Sequence, residues 1–245
     1  MASVPGQIKC RRYAVNKVLK WGMASLLSLT LCGQAMAAFT VNGTRFIYEE
    51  GKKNISFEVT NNAKVAYGGQ VWVDNISERN GVYMVPTPPF FKVAPKQKQI
   101  VRIMRTDGGS LPSDRESLFW LNIQEIPPKP KADENVLSVA VNTRVKLFYR
   151  PKALVAERKN AEKKIQVVRR DNVTWLKNPT PYYFAVAKVK VNGKAVALSD
   201  REEAGLAILA PFSEVAVSQV PVGAKEVSVD SINDWGGVEN HVLKG

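Results

Sequence analysis

The sequence holds little with which to do covalent chemistry. Among 245 residues there are two cysteines and one histidine. Cys10 and Cys32 both fall within the first 37 positions, and His241 stands alone near the C-terminus. No His/Cys spacing exists to hold a metal ion. There is no G-x-S-x-G, no P-loop and no G-x-G-x-x-G, which removes the usual nucleophile elbow and phosphate cradles. The carboxylate pairs Glu49-Glu50 and Glu202-Glu203 sit at turn-like positions and read as solvated. His241 reads as a surface or strand-end residue rather than a base. The expectation is a protein that is not an enzyme and needs no cofactor or metal. Stretches with a helical period of useful length are also missing, and so is any apolar run long enough to span a bilayer.

What is present begins with a leader. Lys9, Arg11, Arg12, Lys17 and Lys20 precede the apolar run Trp21 to Leu31, and Ala35-Met36-Ala37-Ala38 offers an A-x-A site. This is the pattern of a secretory signal peptide covering residues 1–37. Removing it leaves 208 of the 245 residues and takes away both cysteines. The exported chain then enters an oxidising compartment without a disulfide, so hydrophobic cores must hold it together. Five of the 35 Lys and Arg leave with the leader, and 22 acids remain, for a net charge of +8. The charges are scattered rather than clustered, which reads as a solvated surface or a basic cleft for carboxylates. Nucleic acid is not an expected partner, and neither is membrane insertion of the mature chain.

From Phe39 onward, short alternating stretches are punctuated by turns every 8–12 residues. Candidate strands are Phe39–Tyr48, Asn54–Asn61, Tyr67–Asn75, Gln99–Thr106 and Ser117–Glu125. A second set covers Ile165–Arg170, Thr174–Asn178, Tyr183–Val191, Leu206–Leu209, Glu214–Gln219, Glu226–Ser231 and a short one near His241, with Asn192-Gly193 as a hairpin turn. This predicts an all-β chain of two immunoglobulin-like β-sandwiches, residues 38–151 and 152–245, joined by a short linker with a cleft between them. Between the two sets lies the anomaly. Residues 135–149 alternate: Leu137, Val139, Val141, Val145, Leu147 and Tyr149 fall on one side, and Ser138, Asn142, Arg144 and Lys146 on the other. Fifteen residues at about 3.3 Å each reach roughly 50 Å, against about 17–20 Å for an ordinary strand. Edges this long are normally blunted by Pro or inward charge. None interrupts Leu137 to Val141, so the row is expected to be left open for another chain.

The run Leu111-Pro112-Ser113-Asp114-Arg115-Glu116-Ser117-Leu118-Phe119-Trp120-Leu121-Asn122-Ile123-Gln124-Glu125-Ile126-Pro127-Pro128 closely resembles the signature of the periplasmic pilus (fimbrial) assembly chaperones of the chaperone–usher pathway in Gram-negative bacteria. Thr44-Arg45, Thr143 to Pro151, Asn178-Pro179-Thr180-Pro181-Tyr182-Tyr183 and Ile232-Asn233-Asp234-Trp235-Gly236-Gly237 extend the resemblance along the mature chain. It implies a boomerang arrangement of the two sandwiches in the periplasm, with pilus subunits and an outer-membrane usher as partners. The chaperone lends its long strand to a subunit that lacks one, then passes the capped subunit to the usher. Leu137, Val139 and Val141 are then the donor-strand residues that enter the subunit groove. Arg45 and Lys146 are the pair that clamps the subunit's terminal carboxylate. Glu116, Arg150 and Asp234 form a charge network between the domains.

Val65-Ala66-Tyr67-Gly68-Gly69-Gln70 departs from the family pattern, with Ala66 and Gly68 where many members carry Pro and a larger apolar residue. That leaves Phe90 and Ile126 as the candidate apolar contacts to the usher. The short loop Pro127 to Glu134 resembles the subclass that serves rod-like pili with tips. A secreted structural pilin or adhesin component is the alternative, but it is expected to carry an N-terminal donor extension, and Arg45 falls eight residues into the mature chain.

Overall fold

A computed structural model of the chain describes residues 37–76, 81–130 and 137–244. The expected leader, apart from Ala37, lies outside the described residues, as do Asn135 and Val136 of the expected long strand. The described chain is nearly all β.

The first lobe contains β1 (Phe39–Val41), β2 (Arg45–Glu49), β3 (Ile55–Asn61), β4 (Tyr67–Asn75), β5 (Met84–Thr87), β6 (Phe90–Val93), β7 (Lys98–Arg105), β8 (Ser117–Ile126) and β9 (Asn142–Arg150). Four strands form one sheet in the order β1-β3-β7-β5, and five form the other in the order β2-β9-β8-β4-β6. Phe57, Val59, Val71, Leu121, Ile123, Leu147 and Tyr149 fill the space between them.

The expected single strand Phe39–Tyr48 is two. β1 runs antiparallel to β3, and β2 crosses to the other sheet to lie parallel to β9. The break falls at Asn42-Gly43, where the Asn42 side chain accepts the Glu58 N–H at 2.9 Å instead of continuing the strand. β5 and β6 were not anticipated, because the stretch Val85-Pro86-Thr87-Pro88-Pro89 reads as a breaker. Both are sheet edges, where a proline without an N–H removes no ladder bond. Gly69 on β4 is required by the next strand: a Cβ there would sit 2.3 Å from the Phe91 ring.

The second lobe follows two short 3₁₀ turns, Lys152–Leu154 and Ala161–Lys164. It comprises β10 (Gln166–Arg170), β11 (Val173–Lys177), β12 (Val186–Val191), β13 (Lys194–Ala195), α1 (Asp200–Ala207), β14 (Glu214–Ala216), β15 (Val227–Ile232) and β16 (Val238–Val242). Its sheets run β10-β11-β14 and β13-β12-β15-β16. Leu176, Tyr182, Phe184, Val189, Leu206, Leu209 and Val229 make a second, separate core. Asn192 and Gly193, both at positive φ, turn β12 into β13.

Three expectations fail in this lobe. Leu206–Leu209 is not a strand, since Leu206 and Ala207 form the last residues of the helix α1, which was not foreseen. His241 is buried within β16 rather than at the surface. Glu202 is buried, not solvated. It closes a capping box with Ser199 and so fixes the start of the helix. Its carboxylate also accepts the backbone N–H and hydroxyl of Ser218 at 2.6 and 2.8 Å.

Burial alone would raise the Glu202 pKa, but the hydrogen bonds from Ser199 and Ser218 outweigh it and hold the group at about 2. A carboxyl depressed below its ordinary 4.5 contributes stability at higher pH and loses it as pH falls from about 4.5 toward 2. Glu202→Gln is therefore expected to cost about 1.5–3 kcal/mol near neutrality. In urea unfolding followed against pH, the gap between the variant and the wild type should close across that acid window.

Candidate functional site

The parallel pairing of β2 with β9 sets Arg45 opposite Lys146, Ile47 opposite Phe148 and Glu49 opposite Arg150. Alternation turns Phe46 and Tyr48 on one strand, and Val145, Leu147 and Tyr149 on the other, into the first core. The remaining parity faces the second lobe. Phe148 packs against Tyr183 with ring centroids 6.2 Å apart and planes tilted by 53°, and Arg45 lies over Phe148 at 5.9 Å.

The two cations reach across to carbonyls. Arg45 Nη1 donates to Ile232 O at 2.8 Å, while its Nε is buried without a hydrogen-bond partner. Lys146 Nζ donates to Ala207 O at the C-terminal end of α1. Among the described residues neither forms an ion pair. Burial, and then the neighbouring Arg45 charge, pull the Lys146 pKa down to about 8. Burial likewise lowers that of Arg45, with Asp234 opposing it. The result is a pair of partly desolvated positive groups satisfied only by neutral oxygens. This environment stabilises an incoming carboxylate strongly, because a charge-assisted bond gains in strength as water is removed.

At the junction of the lobes, Arg150 Nε donates to Glu116 Oε1 at 2.6 Å, and its Nη1 donates to Asp234 Oδ2 at 2.8 Å. Glu116 Oε2 also accepts the Tyr183 N–H at 2.8 Å. The network thus takes one residue from β8's approach, one from the end of β9 and one from the turn after β15. Sequence reasoning missed two further members. Arg158 Nη2 lies 3.2 Å from Asp234 Oδ1 and 2.7 Å from Glu162 Oε1. Their spacing of four in a charged stretch, Glu157 to Lys164, looks like solvated surface, and no sequence pattern marks them as buried.

The expected long strand is shorter than the alternation suggests. β9 begins at Asn142, and the last ladder-like contact is Glu125 N–H to Val141 O at 2.9 Å. Leu137 to Ala140 has no strand partner. Leu137 is 91% and Val139 62% exposed, Val141 is half-buried, and none of the three belongs to the first core. A strand is defined by its ladder, so an apolar row without a neighbour cannot register as one. Leu137 and Val139 instead border an open hollow of about 740 Å³ floored by Ala66, Gly68, Ile126 and Pro128. Ile126 and, on the edge strand β6, Phe90 are exposed beside this end of the sheet.

Two sandwiches joined at a buried charge network, with basic groups in the cleft and a bare apolar row at one rim, suit a chaperone of extended chains. The comparisons agree. Residues 38–155 match the N-terminal domain, and 160–243 the C-terminal domain, of the PapD pili assembly chaperones. The chain belongs to this family of pilus-assembly chaperones. It is 46% identical over 212 residues to the Escherichia coli chaperone protein FanE, covering 86% of this chain and 92% of that one. With E. coli FaeE the identity is 41% over 236 residues, covering 94% and 88%. Among solved structures, the periplasmic chaperone SfaE superposes with a TM-score of 0.68 at 32% identity, over 84% of this chain and all of that one. SafB, solved in complex with the SafA pilin of Salmonella enterica, gives 0.71 at 27%, over 86% and 97%.

Arg150→Ala should be severe, since it leaves Glu116 buried and unpaired. A loss of about 3–5 kcal/mol is expected in denaturant unfolding. The double change Arg150→Met with Glu116→Leu should lose clearly less, because no buried charge is stranded.

Proposed function

We propose that this chain is a periplasmic chaperone that captures fimbrial subunits by donor-strand complementation and delivers them to an outer-membrane usher. The observation that carries this reading is the apolar row Leu137, Val139 and Val141, which runs into β9, the strand that bears Lys146, and is exposed and without a ladder partner from Leu137 to Ala140 among the described residues. A subunit lacking one strand of its sandwich has a groove that such a row fills, each side chain burying about 1.5–3 kcal/mol before the costs of association. Backbone bonds along β9's extension supply the ladder that the free chain lacks.

Arg45 and Lys146 receive the subunit's terminal carboxylate. On binding, Lys146 exchanges the Ala207 carbonyl for an anion, and the buried Arg45 Nε gains the partner it is without. Glu116, Arg150 and Asp234 hold the two lobes at the angle that keeps this cleft open. Phe90 and Ile126, exposed beside the donor segment, are the apolar contacts offered to the usher. Ala66 and Gly68 leave that surface shallower than larger residues would.

Co-expression with a cognate subunit tests the clamp: Arg45→Ala and Lys146→Ala should each abolish a soluble one-to-one complex while the chaperone stays folded, and recovery at wild-type yield by both would overturn the assignment. Val139→Asp should likewise lose capture, yet shift unfolding free energy by no more than about 0.5 kcal/mol; a large stability loss would mean the row serves the chaperone's own core. Capture should also depend on pH. A carboxylate raises the Lys146 pKa above its free value of about 8, so affinity is full below that value and falls as pH rises through and beyond it, by up to about tenfold per unit. Lys146→Arg should flatten that profile.

A further inference from the structure

Arg45 shares a cavity of about 720 Å³ with Arg150, Arg158, Glu162, Asp234 and Trp235. Asp234 and Glu162 line it together with Arg45, Arg150 and Arg158, and Glu116, outside the lining, pairs with Arg150. Asp234 is the member with a choice. It sits on the turn Asn233–Gly237, its side chain is 23% exposed to the cavity, and its two oxygens are divided: Oδ2 goes to Arg150 and Oδ1 to Arg158. Of the nearby acids it also acts most strongly on Arg45.

Arg158 is held in place independently of Asp234. Its side chain is 8% exposed, its guanidinium lies 5.5 Å from the ring centroids of both Tyr182 and Phe184, and Glu162 balances its charge at 2.7 Å. The turn carrying Asp234 comes close to the clamp as well. At Gly236, with φ +84°, a Cβ would lie 2.8 Å from the hydroxyl of Thr44, the residue before Arg45. Two residues before Asp234, the Ile232 carbonyl takes the Arg45 side chain.

We propose that Arg158, backed by Glu162, is a positioning residue for the carboxylate clamp: by occupying Asp234 Oδ1 it keeps that carboxylate from pairing with Arg45, and so leaves Arg45 free for the incoming anion. Without Arg158, the unsatisfied oxygen of Asp234 turns to Arg45, on which Asp234 already acts more strongly than the other nearby acids. Arg45 is then quenched from inside the protein. This rests on the reading of Arg45 and Lys146 as the site for a subunit's terminal carboxylate, and it adds to that site two residues that never touch the subunit.

The test compares one synthetic peptide of alternating apolar residues as its C-terminal acid and as its amide, bound to the whole chain. The wild type should prefer the acid by about tenfold, equivalent to one charge-assisted contact. In Arg158→Leu paired with Glu162→Leu, which strands no buried charge, the preference should fall to within about twofold while affinity for the amide stays the same. A preference that remains near tenfold overturns the inference, as does an equal loss for both peptides, which marks a merely structural role. Should the double variant fail to fold in a urea titration, Arg158→Lys is read in the same way: losing the guanidinium fork should lower the preference about threefold, and an unchanged value is again fatal. Arg45→Ala separates the two ideas. Loss of acid preference there, with retention in the Arg158 variants, sinks only the role of Arg158, whereas a wild-type chain indifferent to the carboxylate sinks both.

Discussion

Arg150 closes the first lobe and opens the second, and the geometry of the cleft follows from what its guanidinium touches. Its side chain is 5% exposed, with one carboxylate from before β8 and another from the turn after β15. Pro151 follows at once and cannot extend the ladder of β9. The strand therefore ends where the charge network begins, and the second lobe starts from a point fixed on three sides. Such a network is weak ground for claiming net stability, since desolvating the ions offsets much of their attraction. Its value is directional: a hydrogen-bonded fork tolerates few angles, and the two lobes inherit that restriction. Burial pushes the Glu116 pKa up even beside Arg150.

From that fixed end, β9 runs outward with a single apolar row that serves two purposes. Tyr149, Leu147 and Val145 pack the core of the first lobe. Toward the end of the sheet the same parity continues as Val141, Val139 and Leu137, none of which joins a core of the described residues. The strand behaves as a shared element, anchored in one sandwich and offered to another. Anchoring matters because an unattached apolar strand is an aggregation hazard. Here the exposed part is a short segment whose other end is held by eight residue pairs with β8.

Much of this was legible in the residues, for identifiable reasons. Alternation gave β3, β4, β7 and β8 almost to the residue, because each buries one face against a single core. It overran in β9, since the pattern records what the strand packs against when occupied, and the chain alone supplies a ladder only from Asn142. Proline hid β5 and β6, whose edge positions make the missing N–H harmless. α1 was hidden by its length: eight residues give about two helical turns, too few for a period to stand out. Its capping box, Ser199 to Glu202, was the available signal and was read as solvated charge. Arg45, Lys146, Glu116, Arg150 and Asp234 were found through resemblance rather than spacing, because their contacts are long-range: Arg150 meets Asp234 across 84 positions, and Arg45 reaches Ile232 across 187. Arg158 and Glu162 had neither resemblance nor period to expose them.

The clamp and the row belong together because of parity. Lys146 and Val139 are an odd number of residues apart, so a regular strand points them to opposite faces. In the proposed complex the subunit's chain end is thus held on the cleft face while its groove is filled from the other. The two points lie about 23 Å apart at about 3.3 Å per residue. A flexible cation at the surface would leave the register loose over such a distance. Lys146 is instead desolvated, and in the free chain it donates to the end of α1 while Arg45 donates to the end of β15, so the second lobe positions both cations of the proposed anion site. With the chain end fixed, sliding by one residue would turn every apolar side chain of the subunit's edge strand to the wrong face. On the proposed reading, a second sandwich that contributes no donor strand is needed all the same: it positions the two cations, and they in turn set the register of the strand that leaves the first.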